Sequence, residues 1–362
     1  MTDTQTESLG QKFRGLVRRF RFLIVGAAVA LAILILLVLE VFYGANTFTD
    51  SSDITLIVSR GQTFASVVDS LDQKGIIRDR GKFIFVARLL GGAQKIQVGK
   101  YLFTSGVSNT DIFLTLRSGR GNILIPVVIP EGLRAGRQAR IYTQMLGIDS
   151  TRFVGLVHDA DFARSLDLDA ASLEGYLLPD TYAFYWQPDE KEILRRMVHA
   201  FHDFFSDSLK ARAAELNWTV HQAVTMASIV EGEAVLDEER GRISGVYHNR
   251  LKKHMRLEAD PTIQYILSDG PRRVLYTDLK IDHPYNTYRN FGLPPGPVNN
   301  PGRESILAAL FPEVHNYLFF VANGKGGHWF TSNFQDHLRY VRQYRRHRRA
   351  VALSMSGNQQ SR

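Results

Sequence analysis

One glutamate stands out by its setting. Ala223, Met226, Ala227 and Val230 recur at i, i+3, i+4 and i+7, the single apolar stripe of a helix. Glu231 follows directly, so its carboxylate falls at the edge of that stripe and near the helix end. Apolar walls there would desolvate the carboxylate and favour its protonated form. A carboxylic acid that keeps its proton at neutral pH can serve as a general acid. Glu233 lies about 200° further round the helix and should not share the site. On spacing alone a solvated surface charge is the competing reading, because perturbed carboxylates also occur in structural networks.

Other residues suit the recognition of a polar ligand. Residues 269–302 are rich in Pro, Gly and Asn, and a long irregular segment in a compact domain is often functional. Within it Tyr285, Asn286, Thr287 and Tyr288 offer aromatic faces for sugar rings and polar groups for hydroxyls. A coil held by its prolines explains the same composition. The run Asn323 to Gly327 reads as a tight turn into His328, Trp329 and Phe330. Phe201, Phe204 and Phe205 have helical spacing and read as core. The chain has no cysteine, which excludes disulfides and cysteine-based nucleophile or zinc chemistry. His248, His254, His283 and His328 show no H-E-x-x-H spacing, and no G-x-S-x-G elbow is present. No metal and no cofactor is expected.

The elements that must hold these residues begin with an anchor. Phe22 to Leu39 is an unbroken apolar run of eighteen residues, about 27 Å as a helix and close to the hydrocarbon thickness of a bilayer. Lys12, Arg14, Arg18, Arg19 and Arg21 precede it, and no Lys or Arg follows until Arg60. The positive-inside rule then puts the N-terminus in the cytoplasm and the rest of the chain outside. A cleaved signal peptide is the alternative, but the run is long for one and no clear A-x-A site follows.

The expected organisation is a cytoplasmic segment 1–21, a transmembrane helix 22–43, a linker 44–53, a small subdomain 54–120, a main domain 121–340 and a basic tail 341–362. The fold class is α+β. The small subdomain reads β-α-α-β: strands at Ile54–Val58 and Val98–Phe103, helices at Thr63–Leu71 and Arg80–Leu90, with a further helix at Thr110–Leu116. In the main domain Asn122–Pro130 reads as a strand, 136–146 and 150–158 as helices, and Glu190–Leu216 as one long amphipathic helix. Asp237 reads as the cap of the helix after Glu231, Leu257–Thr262 as a loop, Ser305–Leu310 as a helix start and Tyr317–Ala322 as a buried strand. The net charge of +8 and pI near 9.6 favour anionic partners: phospholipid, nucleic acid or an acidic polymer. No nucleic-acid-binding motif is present, and an extracytoplasmic domain would be on the wrong side of the membrane for one.

Several stretches together are specific. They are EGYLLPDTY (174–182), ASIVEGEA (227–234), Glu239-Arg240, VYHNRL (246–251), MRLEADPTIQY (255–265), YNTY (285–288), GLPPGPVNNPG (292–302) and VANGKGGHWF (321–330). In this order they resemble the YceG-like family of endolytic murein transglycosylases, across most of residues 170–335. The resemblance implies an inner-membrane anchor, a LysM-like subdomain and a catalytic domain in the periplasm. It implies cleavage of the MurNAc–GlcNAc β-1,4 bond inside glycan strands with formation of 1,6-anhydro-MurNAc ends, and work beside a peptidoglycan polymerase complex. The glutamate after ASIV, Glu231, is then the catalytic acid and base. Gly232 stands where many relatives carry Lys, and Glu258 where many carry Gln. Candidate substrate-binding residues in the matching stretches are Glu174, Tyr176, Asn249, Asp260, Thr262, Gln264, Asn286, Thr287, Tyr288 and His328. A usual glycosidase has two carboxylates; here no second acid shares the helix face of Glu231, and the substrate would supply the nucleophile. A non-catalytic, membrane-tethered wall-binding protein is the alternative.

Overall fold

The structure is a computed structural model that describes residues 4–48, 53–92, 96–267, 270 and 272–359, with side chains from Phe20 to Arg349. The expected linker therefore lies partly outside the described residues, as do the first residues of the cytoplasmic segment and the end of the basic tail. The chain divides into two compact units, 1–124 with 185–187, and 125–184 with 188–362.

The first unit opens with α1 (Thr4–Tyr43), of which Phe20–Tyr43 is long and apolar enough to cross a membrane. Its apolar side chains are exposed from Phe22 to Leu39, as a lipid-facing helix requires. After α1 come β1 (Ala45–Asn46), β2 (Ile54–Val58), α2 (Phe64–Gln73), α3 (Arg80–Leu89), β3 (Gly99–Phe103), β4 (Val107–Ser108) and α4 (Asn109–Ser118). The antiparallel pair β2–β3 runs from Ile54 opposite Phe103 to Val58 opposite Gly99. Thr63, Asp79 and Ser108 cap α2, α3 and α4 by accepting from the backbone amide three residues on. Leu56, Val68, Leu71, Phe83, Tyr101, Ile112 and Leu116 form a separate core. The β-α-α-β order expected from the sequence is present.

The second unit begins with β5 (Ile125–Val128), α5 (Ala135–Leu146), α6 (Ser150–Val157), α7 (Ala160–Arg164) and β6 (Thr181–Phe184). It continues with α8 (Glu190–Phe204), α9 (Asp207–Glu215), α10 (Val220–Glu233), α11 (Arg240–Lys252), α12 (Asp260–Ile266) and α13 (Arg303–Leu310), and ends with β7 (Phe319–Ala322), β8 (His328–Thr331) and α14 (Phe334–Gln359). Strands β5 and β6 pair antiparallel, as do β7 and β8. The mixed α+β class holds.

Four local expectations change; one is that Tyr317–Ala322, expected as a buried strand, is the shorter Phe319–Ala322 and only half-buried. The segment 190–216 is two helices, because Phe205 leaves helical geometry at ψ 64° and Ser206 is extended, which turns Phe205 into the core beside Phe201. Residues 260–262 open α12 rather than a loop, with Pro261 in the first turn, where its missing N–H costs nothing. Asp237 does not cap α11; it lies in a 3₁₀ turn, Asp237–Glu239, and pairs with Arg240 at 3.0 Å.

The centre of this unit is α10. Thr219 and Gln222 close its N-terminus with a reciprocal capping box. Every residue from Ala223 to Val230 is buried, so the helix is enclosed all round rather than along one stripe. Helices α11, α12 and α13 pack on it and supply the extra walls.

Candidate active site

Glu231 leaves this enclosed helix in its last turn, and its side chain is only 7% exposed. Its surroundings are polar, not the apolar walls read from the helix stripe. One oxygen, Oε2, accepts three hydrogen bonds: from Arg240 Nη1 at 3.0 Å, from the Gly302 amide at 3.1 Å and from Ser305 Oγ at 2.7 Å. Arg240 stands at the start of α11 and also donates to Ser305. Gly302 and Ser305 belong to the N-terminal turn of α13, whose dipole and free amides favour a carboxylate. The other oxygen, Oε1, has no hydrogen-bond partner among the described residues.

A second carboxylate stands beside it. Glu131, between β5 and α5, places its carboxyl against Gly302, within 3.5 Å of Arg240 Nη2. Burial and the neighbouring Glu231 charge push Glu131 above its ordinary value, Arg240 opposes them, and Asp237 and Glu304 add to the rise. Arg240 thus holds Glu131, Glu231 and Asp237 at once. No second acid shares the helix face of Glu231, but Glu131 comes beside it from another part of the chain. The sequence cue was the Glu-Gly pair right after the expected strand Asn122–Pro130, which carries no periodic signal.

Asn300 ties these segments together. Its Oδ1 accepts from the Gly175 and Leu177 amides at 2.8 and 3.1 Å. Its Nδ2 donates to Leu133 O at 2.9 Å and to Glu174 Oε1 at 2.7 Å, and its carbonyl accepts from the Gly132 amide at 2.9 Å. The Asn299 side chain donates to Ser228 O on α10 at 2.8 Å, and Ser228 Oγ accepts from the Val298 amide at 3.0 Å. The Pro-, Gly- and Asn-rich segment is therefore a strap that carries Gly302 to Glu231. Gly175 has φ +92°, and a side chain there would run into Pro297.

The candidate substrate-binding residues have varied places. Glu174 is buried and caps α5 by accepting from the Ala135 amide at 3.1 Å. Burial pushes its carboxyl up to about 7, against the Ala135 amide, Arg134 and Asn300. Tyr176 hydrogen-bonds His221 at 2.8 Å and lines a cavity of about 660 Å³ that does not reach Glu231. Thr262, Asn286 and Thr287 are closed off from solvent and act as internal ties: Thr262 and Thr287 hydroxyls meet at 2.9 Å, and Asn286 donates to Leu279 O and Ile281 O. Tyr288 donates to Asp260 at 2.6 Å. Asn249 donates to the carbonyls of His315 and Tyr317 at 2.8 and 3.0 Å. His328 Nδ1 lies 2.7 Å from Glu239 Oε2, which docks the β7–β8 hairpin beside Arg240. Gln264 alone of this set lines the small cavity next to Glu231. Glu233 points elsewhere, as its helical phase requires, and accepts from Tyr247 at 3.0 Å. Among the described residues no group of three or more His, Cys, Asp or Glu could hold a metal ion.

A profile of the YceG-like family matches residues 56–343. The chain belongs to the YceG-like family. The endolytic murein transglycosylase of Bacillus subtilis (strain 168) is 30% identical over 307 residues, covering 80% of this chain and 84% of that protein. That of Streptococcus pneumoniae (strain ATCC BAA-255 / R6) is 26% identical over 325 residues, again 80% of this chain but 58% of the longer relative. The crystal structure of the yceG-like protein lmo1499 from Listeria monocytogenes superposes with a TM-score of 0.58 at 29% identity, covering 80% of this chain and 99% of that one. Three of the stretches that carry the resemblance supply the cluster directly: ASIVEGEA brings Glu231, Glu239-Arg240 brings Arg240 and GLPPGPVNNPG brings Gly302.

Proposed function

We propose that this YceG-like protein is an enzyme of the same kind as its named relatives, an endolytic murein transglycosylase: a lyase whose substrate is peptidoglycan. The observation that carries this reading is the Glu231 carboxylate, seated at the end of a buried helix with three donors on Oε2 and Oε1 left open. The reaction is cleavage of the MurNAc–GlcNAc β-1,4 bond within a strand. Glu231 begins protonated on the open oxygen and gives its proton to the glycosidic oxygen as the C1–O bond breaks. The GlcNAc side leaves with a free 4-hydroxyl. The MurNAc C6 hydroxyl then bonds to C1, and its proton passes to the Glu231 carboxylate, which returns to its starting state. No water is consumed. Arg240, Ser305 and the Gly302 amide stabilise the carboxylate formed midway, a preorganised response to charge that appears during reaction.

Glu131 belongs to this proton economy. Burial and the neighbouring Glu231 charge raise the Glu131 carboxyl, so it holds a proton more readily next to the acid that the first step uses.

The same reading makes α1 a single-pass inner-membrane anchor with a cytoplasmic N-terminus. It places the catalytic unit in the periplasm, and makes the first unit a LysM-like module on the glycan. The cellular role that follows is ending the elongation of nascent strands, next to a peptidoglycan polymerase. The test is isotopic. Glycan strands cleaved by the full chain in detergent, in H₂¹⁸O, should carry 1,6-anhydro ends without ¹⁸O; reducing ends labelled with ¹⁸O would mean hydrolysis.

A further inference from the structure

A cavity of about 240 Å³ opens next to Glu231, with Gly132, Arg134, Arg137, Gly232, Gln264 and Asn299 in its wall. Two of its walls touch the catalytic position. Gly232 is the next residue in the chain, and a methyl group added to Gly132 would lie 3.3 Å from Glu231 Cγ and 3.5 Å from Oε1. The volume is that of about eight waters, more than one bound ion needs.

The three arginines around this end of the site differ in how far their charge is satisfied. Arg240 is held by Glu131, Glu231 and Asp237. Arg134 is fixed in place: its guanidinium lies over the Tyr265 ring at 4.6 Å, and Nη2 donates to Gln264 O at 2.6 Å. Buried Glu174 supplies it a partial counter-charge, and Arg137 a like charge. Arg137 lies one helical turn from Arg134, on the same side of the chain. It is exposed, and its side chain makes no hydrogen bond or ion pair among the described residues. The other polar wall groups are the side-chain amides of Gln264 and Asn299, and Pro261 and Val298 complete the wall. Among the described residues Asn299 Oδ1 is buried without a hydrogen-bond partner, while its Nδ2 is committed to Ser228 O.

A fixed guanidinium, an open guanidinium and amide groups in one cavity suit an extended ligand bearing carboxylates and peptide bonds. Arginine is suited to carboxylates because its fork binds both oxygens. We propose that this cavity binds the acidic peptide arm carried by the lactyl group of the muramoyl residue whose C1 is attacked. The proposal rests on the reaction assigned above. It makes the stem peptide a recognition element: the arm enters beside Gly132 and Gly232, its carboxylate meets Arg137 and Arg134, and the sugar bond is brought against Glu231. Either a carboxylate along the peptide or the bare lactyl carboxylate would meet the same two arginines, and the substrates of the test separate these sources.

The test compares three sets of glycan strands: with stem-peptide carboxylates free, with the same carboxylates amidated, and with the peptide removed to leave the lactyl acid. Total new chain ends per unit time are measured with the full chain in detergent, so the charge preference is judged whatever kind of end forms. The wild type should favour the free-acid strands over the amidated ones by about tenfold in kcat/KM, through KM, as a charge-assisted pair is worth. Arg137→Ala should lose about that factor on free-acid strands and much less on amidated ones, and Arg137→Lys should recover part of it. A preference that appears only for the lactyl acid overturns the peptide as the source. Equal losses on free-acid and amidated strands overturn the proposal, because a structural role predicts them, and so does a wild type indifferent to amidation. Hydrolysed ends would refute the transglycosylase reading separately, through the kind of end and not the preference. No cleavage of any strand by the wild type would refute both.

Discussion

At the scale of residues, the site is a carboxylate pair around one guanidinium. The helix stripe, a local pattern, drew notice to Glu231 at its edge, and the family resemblance of the ASIVEGEA stretch made it the candidate acid and base. Its partners were not legible. Glu131 lies a hundred positions earlier and Ser305 more than seventy later, and periodicity carries no information over such separations. The apolar setting expected for Glu231 was wrong for the same reason: the stripe describes one face of α10, whereas the end of the helix meets Arg240 and the start of α13. Glu131 yields a prediction. Glu131→Gln removes the like charge that faces Glu231 and can hold no proton itself. The raised carboxyl beside Glu231 is then gone, and with it a store of protons next to the acid. The alkaline limb of the kcat/KM profile should move down by about one pH unit while turnover at the acid side persists. An alkaline limb that stays in place in the variant would exclude this role of Glu131.

At the scale of elements, the site depends on how three segments are stapled to α10, and Asn300 with Glu174 forms the staple. Glu174 yields a second prediction. Its carboxyl is raised by burial from an ordinary 4.5 to about 7, so the folded protein binds this proton more tightly than the unfolded chain. The stability it contributes is complete below about 4.5 and is lost as pH rises through about 7, on the order of 3 kcal/mol. The melting temperature should therefore fall between pH 5 and pH 8, and Glu174→Gln, which keeps a polar cap and cannot titrate, should lessen that slope, the remainder belonging to buried Glu233, likewise raised to about 7. An unchanged slope would place the titration elsewhere. Most helices and strands were legible from spacing and caps. The break at Phe205 was not, because Phe201 and Phe205 keep helical spacing and only the turn at Ser206 shows that both are buried. The start of α12 is hidden in the sequence because a proline reads as a breaker, though the first turn of a helix tolerates it.

At the scale of the whole molecule, the chain combines a helix able to cross a membrane, a small β-α-α-β unit with its own core and a larger unit built on a buried helix. The eighteen-residue apolar run made the first of these plain from composition. The second was legible because its strands and helices are short, capped and alternate cleanly. The third was legible as α+β but not as an arrangement, since its β5–β6 pair and its strap join residues far apart in sequence. The claim on which the account turns is that Glu231 performs both proton transfers. The most direct measurement is the rate at which the full chain forms 1,6-anhydro-MurNAc ends in purified glycan strands, by mass spectrometry, for wild type and Glu231→Gln. Loss of a general acid and base predicts a fall of at least about a thousandfold, with melting behaviour close to wild type. A folded Glu231→Gln variant that still forms anhydro ends at a comparable rate would contradict the account.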